Sequence, residues 1–172
     1  MSKTATLSSN SPETKISKGW KLFIAIVICQ SVGIISGLLT NTKNNFWFDN
    51  IQKPSWNPPG FLFAPIWTTL YLLMGISLWM VWKSKTLQSE KFKTCVLFAI
   101  QLFLNFWWTI IFFEFQMPML AFIEIIIMIF LIIFTIFRFS DISKTAAWLL
   151  VPYVSWVCFA AILNYNLWIL NS

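Results

Sequence analysis

Five apolar stretches, each close to the length of a membrane-spanning helix, restrict the fold of this chain more than any other feature of its sequence. A helix needs about 20 apolar residues to cross about 30 Å of hydrocarbon, and it satisfies its backbone hydrogen bonds internally. Only 10% of the residues are charged, whereas a soluble domain carries about 25%. The sequence therefore predicts an all-α membrane protein, a five-transmembrane-helix bundle over residues 19–172, with a flexible polar tail over residues 1–18. The predicted spans are about Trp20–Leu39, Phe61–Trp82, Cys95–Phe113, Met117–Phe137 and Ala146–Leu170.

The positive charges collect at one end of such a bundle. With five spans, ten of the 12 Lys and Arg residues fall on one side, and only Lys43 and Lys53 fall on the other. The positive-inside rule then predicts a cytoplasmic N-terminus, with the loop over residues 41–60 and the C-terminus on the opposite side. The net charge of +6 is thus attributed to orientation and to anionic lipid headgroups, and no nucleic acid is expected as a partner. The ten are Lys3, Lys15, Lys18, Lys21, Lys83, Lys85, Lys91, Lys93, Arg138 and Lys144.

Conventional catalytic and metal-binding residues are scarce. Histidine is absent from the sequence, which removes the commonest general base and metal ligand. Cys29, Cys95 and Cys158 are scattered through apolar stretches without ligand spacing, so neither a disulfide framework nor a metal site is predicted. Acid–base or hydrolytic catalysis is not expected. Glu124, the carboxylate within the fourth span, is expected to face the bundle interior.

Aromatic and polar side chains recur at helical spacing on three of the predicted spans, and their depths coincide. At a rise of about 1.5 Å per residue, Trp67 lies roughly 10 Å below the loop end of its span, and Asn105 and Ala160 lie in the same leaflet. An apolar cavity lined by aromatic rings and a few polar groups is the default small-molecule site. The predicted lining is Trp67 and Tyr71 in the second span, Asn105 and Trp108 in the third, Trp156, Ala160 and Leu163 in the fifth, and Trp47 and Trp56 in the loop, whose aromatic rings are expected to cap the bundle. Gln101 shares the helix face of Asn105 and Trp108.

Other interpretations of these residues stay open at this point. Tryptophans on helix faces also serve as packing residues or as anchors at the membrane interface. Gln101 and Asn105 would also join neighbouring helices through hydrogen bonds. Gly33-x-x-x-Gly37 fits a motif for close helix packing, and a dimer seam through the first helix is one interpretation of it.

Four segments resemble parts of a known family: KPSWNPPG (53–60), FAPIWTTLYLLMG (63–75), QLFLNFWWTIIFF (101–113) and AAWLLVPYVSWVCFAAILN (146–164). From about Phe46 to Asn171 the sequence resembles the TspO/MBR family of tryptophan-rich sensory proteins, which is related to the mitochondrial translocator protein or peripheral benzodiazepine receptor. The resemblance implies a five-helix bundle, a homodimer, and a pocket beneath the first loop. It also implies that the pocket binds tetrapyrroles such as protoporphyrin IX and haem, and synthetic benzodiazepine-site ligands.

Two departures from the family pattern narrow the expected ligands. Phe48 stands where the loop motif usually has Tyr, which removes a hydroxyl group. No Lys or Arg follows Leu163 and Tyr165 to complete the family's sterol motif. Cholesterol, which eukaryotic members bind, is therefore not expected as the natural ligand, and the inner membrane of a bacterial cell is the expected location. By position in the motifs, the resemblance places in the pocket Trp67, Tyr71, Asn105, Trp108, Trp156 and Ala160.

Three functions follow as hypotheses. The first is a membrane receptor or sensor that binds tetrapyrroles and requires no cofactor, with the lipid bilayer and a second copy of the chain as further partners. The second is an enzyme that degrades bound porphyrin in a light-dependent reaction, with Trp67 or Trp156 as the reactive residue, and with Trp156 favoured as the drier of the two. The third, transport of porphyrins or other apolar metabolites, ranks last because the sequence shows neither discontinuous helices nor inverted repeats.

Overall fold

The computed structural model describes residues 18–40, 42 and 45–172, and within these residues the secondary structure is helical, with no strand. A 3-10 turn (Gly60–Leu62) precedes α3, and a π-helical turn (Ile110–Glu114) extends α4. The helices α1, α3, α4 and α5 and the pair α6–α7 are long and apolar enough to cross a membrane. The predicted five-helix bundle is therefore confirmed. The helices are α1 (Lys18–Leu39), α2 (Phe46–Asn50), α3 (Phe63–Trp82), α4 (Gln88–Thr109), α5 (Pro118–Ser140), α6 (Lys144–Leu149) and α7 (Val151–Leu170).

Part of the sequence prediction falls on residues outside this description. The flexible tail predicted over residues 1–18 lies outside the described residues, except that Lys18 begins α1. Lys43, one of the two cations expected on the loop side, lies outside them as well.

The third spanning helix begins earlier than its apolar stretch. The sequence predicts a span from about Cys95, whereas α4 begins at Gln88. Glu90 lies in its first turn, where a negative charge interacts favourably with the helix dipole. The same carboxylate forms ion pairs with Lys93 and Arg138. These interactions keep the polar residues at the start of α4 in helical conformation.

The fifth predicted span is divided into α6 and α7 at Leu150. Pro152 lies at the start of α7, where it has no backbone N–H to donate and its ring would clash with the carbonyl four residues earlier. The fifth span is therefore interrupted, whereas the sequence had shown no discontinuous helix. Ser143 caps α6, because its hydroxyl oxygen accepts a hydrogen bond from the Ala146 N–H at 3.3 Å. Beyond the break, Tyr153 is fully buried in the bundle.

The two ends of the bundle differ chemically. At one end, Arg138 Nη2 lies 2.7 Å from Glu90 Oε2, and the ammonium group of Lys21 lies 5.5 Å from the centre of the Trp82 ring. We call this the basic end, because it holds every described Lys and Arg except Lys53. The opposite end, the loop end, is covered by residues 45–62, which we call the cap.

Glycines allow α1 and α3 to approach closely, and these two helices make the most extensive contact in the bundle. A Cβ atom at Gly75 would lie 2.7 Å from Ile26 Cα. A Cβ atom at Gly33 would overlap the ring of Tyr71. Small residues favour association of membrane helices because they let backbones approach each other. The first glycine of the Gly33-x-x-x-Gly37 pattern therefore packs against α3 of the same chain.

We expect Gly75→Ala to lower the free energy of unfolding by about 1–3 kcal/mol, because the added methyl group meets the backbone of α1 and cannot rotate away. Gly37→Ala is the matched control, since the nearest atom to a Cβ there is Thr42 Oγ1 at 3.4 Å. Alanine stabilises a helix relative to glycine by roughly 0.5–1 kcal/mol, so this control should keep or raise stability. Thermal unfolding in one detergent, followed by circular dichroism, measures both. A Gly75→Ala variant as stable as wild type would contradict the close contact.

Candidate functional site

A chain of four hydrogen-bonding side chains runs through the middle of the bundle. The Tyr71 hydroxyl donates to Asn105 Oδ1, and the Asn105 amide donates to Tyr153 Oη at 3.3 Å. The Tyr153 hydroxyl donates in turn to Gln101 Oε1 at 2.9 Å. All four residues are buried, and they belong to α3, α4 and α7. Hydrogen bonds between membrane helices contribute about 0.6–2 kcal/mol each. These bonds therefore stabilise the packing of α3, α4 and α7 against one another.

These contacts restrict what Asn105 can offer to a ligand. Its Oδ1 accepts from Tyr71, and its amide nitrogen donates to Tyr153. An amide nitrogen carries two hydrogens, so one further donor is left on a side chain that is only 3% exposed. The interpretation of Asn105 as an interhelical hydrogen-bonding residue is confirmed, and its contact with a ligand stays a prediction.

Glu124, on α5, lies beside these hydrogen-bonded side chains. It is buried, as predicted, and is one turn away from Met128, whose sulfur lies 3.8 Å from Tyr153 Oη. Neither carboxyl oxygen of Glu124 has a hydrogen-bond partner among the described residues, and the same holds for Gln101 Nε2. Unpaired polar atoms are costly at membrane depth. The surroundings of Tyr153 therefore form a polar region inside the bundle.

Trp67 packs directly on the hydrogen-bonded tyrosines. Its ring stacks on that of Tyr71, with centroids 5.5 Å apart and planes at 30°, and it meets the edge of the Tyr153 ring at 6.4 Å. Aromatic pairs of this kind contribute about 0.5–1.5 kcal/mol beyond the burial of their area. Trp67 is itself half-buried, so part of its ring stays accessible. The structure thus brings together Trp67, Tyr71 and Asn105, as the sequence predicts.

Trp108 belongs to a second aromatic cluster, nearer the loop end. Its indole N–H donates to Asn164 Oδ1 at 3.2 Å, and Asn164 Nδ2 donates to the Pro118 carbonyl at 2.8 Å. Its ring stacks on Phe112, with centroids 5.2 Å apart and planes at 17°. Leu163 is buried in the same cluster. Because the N–H of Trp108 is engaged, this residue would offer its ring, rather than a hydrogen bond, to a ligand.

Trp156 forms a third aromatic cluster, directly below the cap. Its ring centroid lies 6.0 Å from that of Phe63 and 5.2 Å from that of Phe159. Phe159 meets Trp56 of the cap at 5.8 Å. The indole N–H of Trp156 is buried, and no described residue accepts a hydrogen bond from it. Ala160, one turn further along α7, is half-buried at the edge of the main core cluster.

Hydrogen bonds hold the cap to the bundle at two places. Asn45 Nδ2 donates to the Phe113 carbonyl in the π turn at 3.2 Å, while Asn45 Oδ1 accepts from the Phe48 N–H at 2.9 Å. Gln52 and Asn171 exchange two hydrogen bonds of 2.9 Å, in which each donates to an oxygen of the other. The C-terminal end of α7 therefore fastens the cap on one side, and the π turn after α4 fastens it on the other.

Aromatic rings of the cap point into the bundle. The ring of Trp47 meets Phe112 at 5.5 Å, and that of Phe48 meets the same residue at 6.0 Å. The ammonium group of Lys53 lies 4.8 Å from the centre of the Phe48 ring and donates to the Asp49 carbonyl at 3.0 Å. The predicted packing of the loop aromatics on the bundle end is confirmed.

Tyr153 and Asn171 are structurally central, and neither was predicted as a site residue. A signal for Tyr153 was present, because Tyr153, Trp156 and Ala160 are spaced as i, i+3 and i+7 along one helix. The adjacent proline, which marks a helix break, obscured it. Asn171 had no signal, because its partner Gln52 lies 119 positions away along the chain. Pairings of this kind become visible only after the helices have packed.

Known proteins match this bundle over most of its length. The model of the TspO/MBR family matches residues 25–169. The chain belongs to the TspO/MBR family. The match includes the cap and all three aromatic clusters, and together with the five apolar helices it identifies an integral membrane protein.

Relatives from bacteria and from humans are similar to this chain over nearly all of their own length. The tryptophan-rich protein TspO of Chlorobaculum tepidum is 39% identical over 150 residues, covering 87% of this chain and 95% of the relative. The human translocator protein is 36% identical over 151 residues, covering 87% and 89%. The tryptophan-rich sensory protein of Cereibacter sphaeroides is 31% identical over 153 residues, covering 88% and 92%.

Proposed function

We propose that this chain is a membrane receptor that binds tetrapyrroles, such as protoporphyrin IX and haem, beneath the cap and between Trp67 and Trp156. The observation that carries the proposal is the buried indole N–H of Trp156, which has no acceptor among the described residues. A buried donor without an acceptor costs about 1–3 kcal/mol. A ligand that supplies an acceptor atom beside Trp156 removes this cost.

The surroundings of this N–H suit a large, flat and mainly apolar ligand. Trp67 and Trp156 are half-buried and offer ring surface for stacking. The cap supplies polar groups at this end of the bundle: Asn57 Oδ1 is buried without a donor among the described residues, and Lys53 carries a positive charge. A tetrapyrrole combines an aromatic macrocycle with anionic propionates, and it would place the propionates near Lys53.

Haem would be held in such a site by its macrocycle and its propionates. The sequence has no histidine to ligate the iron. The proposed contacts are those that haem shares with metal-free protoporphyrin IX, namely the faces of the macrocycle and the propionates.

Ala160→Phe tests the proposed site. The added ring would fill space beside Trp156, at an overpacking cost of about 1–3 kcal/mol, and we expect about a tenfold or greater loss of protoporphyrin IX affinity. Ala99→Phe is the matched control, because Ala99 is exposed on the outer face of α4 and its substitution leaves the site intact. Titration of each purified variant in the dark, followed by the Soret absorbance, gives the affinities. A folded Ala160→Phe variant that binds as tightly as wild type would remove Ala160 from the site.

A second candidate function, light-dependent breakdown of bound porphyrin, is favoured by the contacts of Trp67. Its ring touches Tyr71 and Tyr153, and tyrosine and tryptophan are readily oxidised side chains. Trp156, by contrast, touches Phe63 and Phe159, which are not. Both tryptophans are half-buried, so exposure to water does not decide which of them is the reactive residue. The contacts favour Trp67 as the residue that donates one electron to an excited porphyrin and becomes a tryptophan radical cation. Dissolved dioxygen is the oxidant that such a breakdown consumes.

Trp67→Phe is expected to slow the light-driven loss of the Soret band far more than it weakens binding. The loss of stacking is about 0.5–1.5 kcal/mol, which is about tenfold or less in affinity, whereas a benzene ring gives up an electron much less readily than an indole. Trp156→Phe is the matched variant and should keep most of the bleaching rate at saturating ligand. If wild type and both variants bleach porphyrin at the rate of free porphyrin in detergent, the enzymatic function is excluded. Only the proposed binding function would then be retained.

We also propose that the basic end faces the cytoplasm, in the inner membrane of a bacterial cell. Every described Lys and Arg except Lys53 lies at that end, and cytoplasmic loops carry an excess of such residues. Ser55→Cys in the cap and Ser89→Cys at the basic end are both exposed positions. In a background without the native cysteines, an impermeant maleimide added to intact cells should label only Ser55→Cys. Labelling of Ser89→Cys alone would reverse the orientation.

A further inference from the structure

A groove of about 390 Å³ runs between α4 and α5 on the outer surface of the bundle, at its basic end. Val96, Ile100 and Phe134 are 41%, 46% and 54% exposed on the outer surface of two helices that are apolar enough to span a membrane. The groove lies at the opposite end of the bundle from the cap and its aromatic clusters. Its lining residues are Lys93, Val96, Leu97, Ile100, Phe134 and Arg138.

Two cations at the rim of the groove share one carboxylate. Lys93 Nζ lies 3.0 Å from Glu90 Oε1, and Arg138 Nη2 lies 2.7 Å from Glu90 Oε2. Asp141 Oδ2 is further away, 3.6 Å from Arg138 Nη1, and its side chain is 66% exposed. An ammonium group has three donors and a guanidinium group has five, so both cations keep donors for another anion. Glu90 holds the two cations side by side.

The spacing of cations and apolar residues matches the layers of a phospholipid leaflet. Lys93 and Ile100 are two turns apart on α4, which is about 10 Å along the helix axis. Phe134 is one turn from Arg138 on α5. The headgroup region of a leaflet is about 5–8 Å thick. With the cations at the level of the phosphates, the apolar residues of the groove therefore lie at the level of the upper acyl chains.

We propose that this groove binds one anionic phospholipid, whose phosphate pairs with Lys93 and Arg138. One acyl chain lies along the apolar floor formed by Ile100 and Phe134. Charge favours an anionic headgroup over a zwitterionic one, because residues 83–94 and 138–145 together hold six cations and two carboxylates. Basic pockets between membrane helices recognise acidic headgroups in this way. The proposal depends neither on the tetrapyrrole site nor on which side of the membrane the basic end faces.

Native mass spectrometry of the purified full chain, titrated with phosphatidylglycerol or with phosphatidylcholine of identical acyl chains, tests the proposal. Wild type should bind a first phosphatidylglycerol molecule more tightly than phosphatidylcholine. Lys93→Gln removes one rim cation from a side chain that is 67% exposed, and it should lower the phosphatidylglycerol affinity about fivefold. Lys85→Gln is the matched control, because Lys85 is an exposed lysine of the same end that does not line the groove.

Ile100→Trp separates a lipid in the groove from diffuse attraction to a basic surface. The indole would fill the groove without changing any charge, and it should lower phosphatidylglycerol affinity about as much as Lys93→Gln does. Equal losses in Lys93→Gln and Lys85→Gln, or unchanged affinity in Ile100→Trp, would overturn the proposal in favour of non-specific electrostatic binding.

Native mass spectrometry also tests two other occupants of the groove, inorganic phosphate and a second copy of the chain. Displacement of phosphatidylglycerol by millimolar inorganic phosphate would show that the rim binds phosphate without an acyl chain, and would overturn the lipid assignment. A dimer that is lost in Ile100→Trp and unaffected by added lipid would show that a second copy fills the groove. Persistence of the lipid adduct on the monomer in the presence of phosphate supports the proposal.

Discussion

The hydrogen-bonded chain from Tyr71 through Asn105 and Tyr153 to Gln101 is the interaction on which the arrangement of this bundle depends. Lipid tails are as apolar as leucine, so hydrophobicity alone does not select one rotation or depth of a helix against its neighbours. Polar groups placed at membrane depth do select, because leaving them unpaired is costly. These hydrogen bonds between side chains therefore set the rotation and depth of α3, α4 and α7 relative to one another.

Packing of α1 and the position of Trp67 both follow from the same tyrosine. The missing Cβ at Gly33 leaves room for the ring of Tyr71, so the close approach of α1 and α3 and the hydrogen bond to Asn105 require each other. The same ring of Tyr71 stacks on that of Trp67. A residue of the candidate site is thus held by the element that holds the bundle together. A substitution at Gly33 would therefore displace Trp67 indirectly, through the ring of Tyr71.

The two ends of the molecule are built for different surroundings. At the loop end, the cap is fastened by Asn45 and by the Gln52–Asn171 pair, and it covers aromatic rings that would otherwise meet water. At the basic end, the polar contacts are ion pairs centred on Glu90, and the apolar surface beside them is open to lipid. The aromatic clusters beneath the cap and the ion pairs of the basic end are therefore separated by the length of the bundle.

The sequence by itself determined the number of spans, the end at which the cations collect, and the aromatic nature of the cap, because these depend on the composition of continuous segments. The alignment of Trp67, Tyr71 and Asn105 could also be predicted, since helical periodicity and depth follow from spacing alone. Only the tertiary structure decided which polar atoms are engaged. The N–H of Trp108 is bonded to Asn164, whereas that of Trp156 is left without an acceptor among the described residues. Hydrogen-bond partners on different helices are set by helix rotation and approach, and those depend on contacts between residues far apart in the chain.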